Sequence, residues 1–272
     1  MPQLKLNGIF PPITTPFNHS GDIYPAKIRH NIEKWNLTNL AGYVVCGSTG
    51  ESVYLTEAEK LYLWEEVAKF TPSSKLLIAD TSLESVRETI HLTNLAAGLG
   101  YHCALLSAPC HYQAFQDPTL YFRAVADQAR IPLIIAGANA SDHPNIIAIL
   151  TSSNVEPLLK PGLQVLTSNA ITLAGSLRAG ATGAIIPYAG AAPFSCLTIA
   201  EAIQRREFEA AEDWQARITN AVTLVTERHG IPGLKYAMDF NGYYGGPPRL
   251  PMIPVSRPAQ LEIEAAFRGL RG

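Results

Sequence analysis

Gly42-Tyr43-Val44-Val45-Cys46-Gly47-Ser48-Thr49-Gly50-Glu51 reads as a short apolar strand running into a glycine-flanked turn. Residues 56–70 follow it as an amphipathic helix, opened by the capping box Thr56-x-x-Glu59. Strand, turn and capped helix in succession are the unit of a parallel sheet, because a parallel partner can be reached only through a crossover. The same unit recurs along the chain. Apolar runs of strand length lie at 8–14, 42–46, 75–81, 102–108, 132–137, 145–150, 163–168 and 183–187. None shows the in–out alternation of a half-exposed antiparallel sheet. Helical patterns at 25–37, 56–70, 85–99 and 118–130 separate the early ones. Eight such runs predict an α/β fold of the (β/α)8 TIM barrel type. An open doubly wound sheet would carry a glycine-rich phosphate turn after its first strand, where this chain has Pro11-Pro12-Ile13-Thr14-Thr15-Pro16.

From Pro193 onward the strand signal ends, and helical patterns occupy 196–205, 208–228, 233–240 and 258–270. The expected organisation is a barrel over residues 1–192 and a C-terminal helical extension over 193–272. One region departs from the rhythm. Between Pro132 and Ser168 there is room for three strands but not for two full crossover helices, so crossover helices 5 and 6 are expected to be shortened or missing. A barrel strand left uncovered there would expose apolar surface.

Composition narrows the class. The 272 residues are 47% hydrophobic and 16% charged, with a formal net charge of −2 and no Lys/Arg run. Neither nucleic acid nor an anionic membrane has an electrostatic claim on such a chain. No apolar stretch approaches the roughly 20 residues of a membrane span, and the first residues lack the apolar segment of a signal peptide. A cytoplasmic protein with a small-molecule partner is expected. Cys46, Cys103, Cys110 and Cys196 show no Cys-x-x-Cys spacing and read as reduced core thiols.

The turn at 47–51 is the first candidate site. Two adjacent hydroxyls, Ser48 and Thr49, between glycines that let a ligand approach the backbone closely, suit a small carboxylate at the end of a strand. An ordinary turn would read the same, so the neighbouring motifs matter.

Gly8-Ile9-Phe10-Pro11-Pro12-Ile13-Thr14-Thr15-Pro16-Phe17, the Gly-Ser-Thr-Gly-Glu turn, Pro109-Cys110-His111-Tyr112 and Gly183-Ala184-Ile185-Ile186 together resemble the dihydrodipicolinate synthase / N-acetylneuraminate lyase family over nearly the whole chain. Gly230-Ile231-Pro232-Gly233-Leu234-Lys235, Asp239 and the segment Gly242-Tyr243-Tyr244-Gly245-Gly246-Pro247 look most like the 4-hydroxy-2-oxoglutarate aldolase branch. The resemblance implies class I aldol cleavage or condensation of pyruvate-type 2-oxo acids with no metal and no cofactor. It implies a Schiff-base lysine on the sixth strand, a proton-relaying tyrosine on the fourth, and a homo-oligomer, dimer or tetramer. Carried over residue by residue, it gives Ser48 and Thr49 the substrate carboxylate, and it makes Thr14, Leu150 and Ile185 pocket residues.

Two positions depart from the family's pattern. His111 stands in the register of the proton-relay tyrosine, and an imidazole moves protons near neutrality more readily than a phenol with a pKa of about 10. Tyr112 serves instead if the loop is shifted by one residue. In His143-Pro144-Asn145-Ile146-Ile147-Ala148-Ile149-Leu150, leucine occupies the place of the Schiff-base lysine, and a leucine offers no nucleophile. The competing register makes Lys160 the nucleophile, but leaves only Pro161 and Gly162 before the next strand. The readings that remain are an imine-forming aldolase or lyase, a relative that has left the imine and works through His111 and Tyr112 as a lyase, hydratase or cyclase, and a non-catalytic binder of small acids.

Overall fold

In a computed structural model, residues 4–111, 117–137 and 142–270 are described. Eight parallel strands follow the chain as β1 (Gly8–Phe10), β2 (Gly42–Val45), β3 (Leu76–Asp80), β4 (Cys103–Ser107), β5 (Leu133–Ala136), β6 (Ile146–Thr151), β7 (Gln164–Thr167) and β8 (Gly183–Ile185). They pair in the order β1-β8-β7-β6-β5-β4-β3-β2. Between β1 and β2 the seam is closed by backbone bonds rather than a full ladder, because Pro11 and Pro12 lack N–H donors. Ala41 N donates to Ile9 O at 3.0 Å, Val44 N to Pro11 O at 3.0 Å and Ile13 N to Val44 O at 2.9 Å. The barrel is therefore nearly closed, as the count of eight runs requires.

Its interior is packed. Phe10, Val44, Ile78, Leu105, Ile134, Ala148, Leu150, Leu166 and Ile185 form one buried cluster inside the strands, which is how a small barrel fills its axis. The remaining space outside is covered by α1 (Pro25–Asn36), α2 (Glu57–Phe70), α3 (Val86–Gly98), α4 (Pro118–Ala126), α5 (Leu173–Arg178) and α6 (Pro193–Gln204). Thr56 caps α2 reciprocally: Glu59 N donates to Thr56 Oγ1 at 3.2 Å and Thr56 N to Glu59 Oε2 at 2.9 Å. A cap of this kind contributes about 1 kcal/mol. Three further helices follow, α7 (Phe208–Thr223), α8 (Gly230–Phe240) and α9 (Arg257–Phe267), with a π-helical segment at Leu224–Arg228 between α7 and α8. Ile218, Leu234 and Met238 of these helices share one buried cluster with Trp35, Trp64 and Tyr188 around the barrel.

Among the described residues between β5 and β7 there is no crossover helix. Residues 142–145 carry none, and a single 3₁₀ turn at Glu156–Leu158 joins β6 to β7. The apolar exposure expected there does not follow, since every residue of β6 is buried. Ile146 packs with Tyr121, Phe122 and Val125 of α4, and Val155 packs with Val165 and Ala181. The motif His143-Pro144-Asn145 stitches the short connection down. Asn145 Nδ2 donates to Ala129 O at 3.1 Å and Ile131 O at 3.2 Å, satisfying carbonyls beyond the end of α4, while His143 Nε2 lies 3.2 Å from Asp127 Oδ1.

Candidate active site at the barrel mouth

The turn after β2 is held in a conformation that few sequences adopt. Cys46 has φ 64° and Glu51 φ 59°, both in the left-handed region although neither is glycine. Strain of this kind persists only where surrounding contacts fix it, and it gathers at functional sites. Three anchors fix it here. Thr15 Oγ1 donates to Gly50 O at 2.6 Å, Arg249 N donates to Glu51 Oε2 at 2.7 Å, and Lys235 Nζ lies 2.5 Å from Glu51 Oε1. Lys235 and Glu51 are both about 1% exposed. The ammonium also donates to Thr15 O at 2.9 Å and Pro247 O at 3.0 Å and lies over the Phe17 ring. Burial pushes the Lys235 pKa down, and Glu51 opposes that shift. Gly245 passes so close to Lys235 that a Cβ there would fall 1.9 Å from the Lys235 carbonyl oxygen. Tyr243 stacks on Trp35 and Tyr244 donates to Phe17 O at 2.9 Å, so the Gly242–Pro247 segment is a brace for this pair.

With the turn so braced, Ser48 is exposed and Thr49 is buried behind it. Asp80, the last residue of β3, stands next to them. A Cβ added at Gly47 would lie 3.1 Å from Asp80 Oδ2, so glycine is what lets the carboxylate approach the turn. Ser82 holds the other oxygen: its Oγ donates to Asp80 Oδ1 at 2.6 Å and accepts from Ser107 N at 2.8 Å. Desolvation pushes the Asp80 carboxyl up to about 6, against the lowering effect of the Ser82 bonds and of Lys60 nearby. A carboxyl poised there exchanges protons near neutrality.

Further round the rim, Glu84 follows β3 and Cys110-His111 follow β4. Glu84 Oε1 accepts from Cys110 N at 2.9 Å and from Cys110 Sγ at 3.0 Å, Glu84 Oε2 accepts from His111 N at 3.1 Å, and His111 Nδ1 lies 3.1 Å from Glu84 Oε1. The Cys110 hydrogen bonds hold the Glu84 carboxyl down at about 2. All three residues are exposed.

The other residues singled out from sequence fall as follows. His111 is an exposed turn residue four positions after β4, whereas Tyr112 lies outside the described residues. Leu150 is 8% exposed, sits on the inner side of β6 and pairs in register with Ala136 and Leu166. Lys160 is corrected as a catalytic candidate. It is exposed, four residues ahead of β7, and bridges to Leu163. That places it at the amino-terminal end of the strands, opposite the turn that carries Ser48. Ile185 belongs to the packed interior, and Thr14, buried, has its Oγ1 3.3 Å from Met238 Sδ. Thr14 also lines a small cavity with Thr15, Val45 and Cys46 behind the turn. Cys110 is also corrected: it is exposed, while Cys46, Cys103 and Cys196 are buried. Asp80 and Glu84 were not legible in the sequence, because Asp80 ends an apolar run and Glu84 stands just ahead of the Ser85 cap of α3, where a carboxylate is ordinary. Strand phase was the available signal for Asp80, whose register partner is Leu105 of the interior cluster.

A nearly closed parallel barrel with polar groups gathered at the carboxyl ends of β2, β3 and β4 defines a class of protein, the barrel enzymes that work at that mouth. The chain belongs to the dihydrodipicolinate synthetase family, whose model matches residues 5–146. It is 30% identical over 274 residues to a 4-hydroxy-tetrahydrodipicolinate synthase of Methanothrix thermoacetophila, with 92% of each chain covered. It is 29% identical over 290 residues to a probable mitochondrial 4-hydroxy-2-oxoglutarate aldolase of Emericella nidulans, covering 96% of this chain and 93% of the relative. The crystal structure of a dihydrodipicolinate synthase from Bacillus anthracis shares the fold, with a TM-score of 0.90 at 20% identity over 98% of this chain and 99% of that one. Among the described residues no helix is long and apolar enough to cross a membrane.

Proposed function

We propose that this chain is a lyase of the aldolase type that acts on a pyruvate-type 2-oxo acid and does so without a lysine imine. The observation that carries the reading is the pairing of an exposed Ser48 on a strained, braced turn with the Asp80 carboxyl against Gly47. In this reading Ser48 and Thr49 take the substrate carboxylate. In the cleavage direction the Asp80 carboxylate removes the proton from the substrate hydroxyl at C4. The C3–C4 bond breaks, its electron pair moves onto the 2-oxo oxygen as an enolate, and an aldehyde leaves. Solvent then returns a proton to C3, completing the 2-oxo acid product, and Asp80 gives up its proton to solvent. Leu150 supplies apolar wall where an imine would otherwise form, which supports a mechanism resting on proton transfer.

The relative named as a 4-hydroxy-2-oxoglutarate aldolase guides the choice of substrates. The test is release of a 2-oxo acid from a panel of 4-hydroxy-2-oxo acids, followed with purified protein. Turnover that survives in the Lys160→Ala variant and falls in Asp80→Asn supports the reading; binding of the panel with no turnover overturns it in favour of a small-acid binder.

A further inference from the structure

Glu84, Cys110 and His111 contribute a carboxylate, a thiol and an imidazole whose ligand atoms all lie within 4.8 Å of one another. The individual separations are 3.0 Å from Cys110 Sγ to Glu84 Oε1, 3.1 Å from His111 Nδ1 to Glu84 Oε1 and 3.7 Å from Cys110 Sγ to His111 Nδ1. Ligands at zinc bond lengths of about 2.0–2.3 Å in tetrahedral array stand about 3.3–3.6 Å apart, so no ligand needs to move by more than about half an ångström. We propose that these three side chains bind one divalent cation of zinc-like preference, with the fourth coordination position left open.

Several features beyond proximity favour that assignment. The donor set is sulfur, nitrogen and oxygen, which suits zinc and its congeners and disfavours magnesium or calcium. The Glu84 carboxylate accepts the backbone amides of both Cys110 and His111, so the loop is gathered around it before any ion arrives. Space for a fourth ligand exists, because Glu84 also lines a cleft of about 370 Å³ with Pro109, Asp117, Leu120 and Tyr121. Three protein ligands and one open position are the arrangement of reactive rather than structural zinc. Binding would expel the Cys110 proton to solvent and leave a metal-thiolate bond. A cation at the rim beyond Asp80 would attract an oxygen of an anionic substrate; that last step rests on the function proposed above, whereas binding of the ion does not.

The test uses tag-free, reduced, full-length protein titrated with cobalt(II), whose thiolate complexes absorb in the near ultraviolet. A charge-transfer band saturating at one cobalt per chain and displaced by zinc is expected. Cys110→Ser should abolish the band, and His111→Ala should weaken cobalt affinity by about tenfold or more. Unchanged far-ultraviolet circular dichroism in both variants excludes misfolding as the cause. Absence of the band in the wild-type protein, or its persistence in Cys110→Ser, overturns the proposal, and neither result depends on whether a 2-oxo acid is turned over.

Discussion

At the scale of single residues, the account turns on what faces Ser48. If Ser48 Oγ donates to a substrate carboxylate, Ser48→Ala removes one charge-assisted hydrogen bond, worth about 1.5–3 kcal/mol. The expected result is a KM raised by about ten- to a hundredfold with kcat little altered, measured by steady-state kinetics on the 2-oxo acid that the panel identifies. Asp80 has a different signature. Its pKa of about 6 means that the base form fills as pH rises through that value, so kcat/KM should climb across pH 5 to 7 and level off above. Asp80→Asn should lower the plateau by about 10²- to 10⁴-fold and erase the inflection. An inflection that persists in the variant would assign the titration to another group. The turn that carries Ser48 and Thr49 was legible in the sequence because hydroxyls between glycines after a strand are a local pattern. Asp80 was not, because its approach to Gly47 joins residues 33 positions apart and depends on strand register.

At the scale of elements, the β2 turn owes its shape to residues far along the chain. Glu51 orders the turn by accepting from Arg249 and pairing with Lys235. Removing one partner of a buried pair leaves an unmatched charge, at a cost of about 3–5 kcal/mol. Lys235→Met should therefore lower the urea midpoint sharply, while Lys235→Met combined with Glu51→Gln should recover part of the loss. A double variant no better than the single one would mean that the pair is not energetically coupled. The eight strands and the short connections on either side of β6 could be read from run lengths alone. What covers β6 could not be, because α4 side chains and Val155 reach it from elements that sequence spacing does not connect.

At the scale of the whole molecule, Arg249 ties the C-terminal segment to the barrel mouth. Its guanidinium reaches Glu59 at 2.6 and 3.0 Å, Gly21 O at 2.7 Å and Tyr54 O at 2.8 Å. The Arg249 bonds hold the Glu59 pKa down at about 2, against an ordinary 4.5. A carboxyl depressed in the folded state stabilises it fully above the unfolded pKa and loses that contribution as pH falls. Stability should thus decline as pH drops from about 4.5 toward 2, and Arg249→Gln should flatten that limb in denaturation curves taken across the range. Asp80 acts with the opposite sign, since its raised pKa makes ionisation between 3.8 and about 6 cost stability. The family and barrel were legible because their motifs are contiguous in sequence. The register of β6 was legible too, because Pro161 and Gly162 leave too little chain for Lys160 to end that strand, whereas the packing of Leu150 among interior residues from other strands was not. The central claim, a 2-oxo acid site that works without an imine, is tested most directly by incubating the protein with pyruvate and sodium borohydride and measuring its intact mass. The account predicts an unchanged mass and unimpaired activity after the reductant is removed; a stable adduct mapping to Lys60, Lys235 or any other lysine would contradict it.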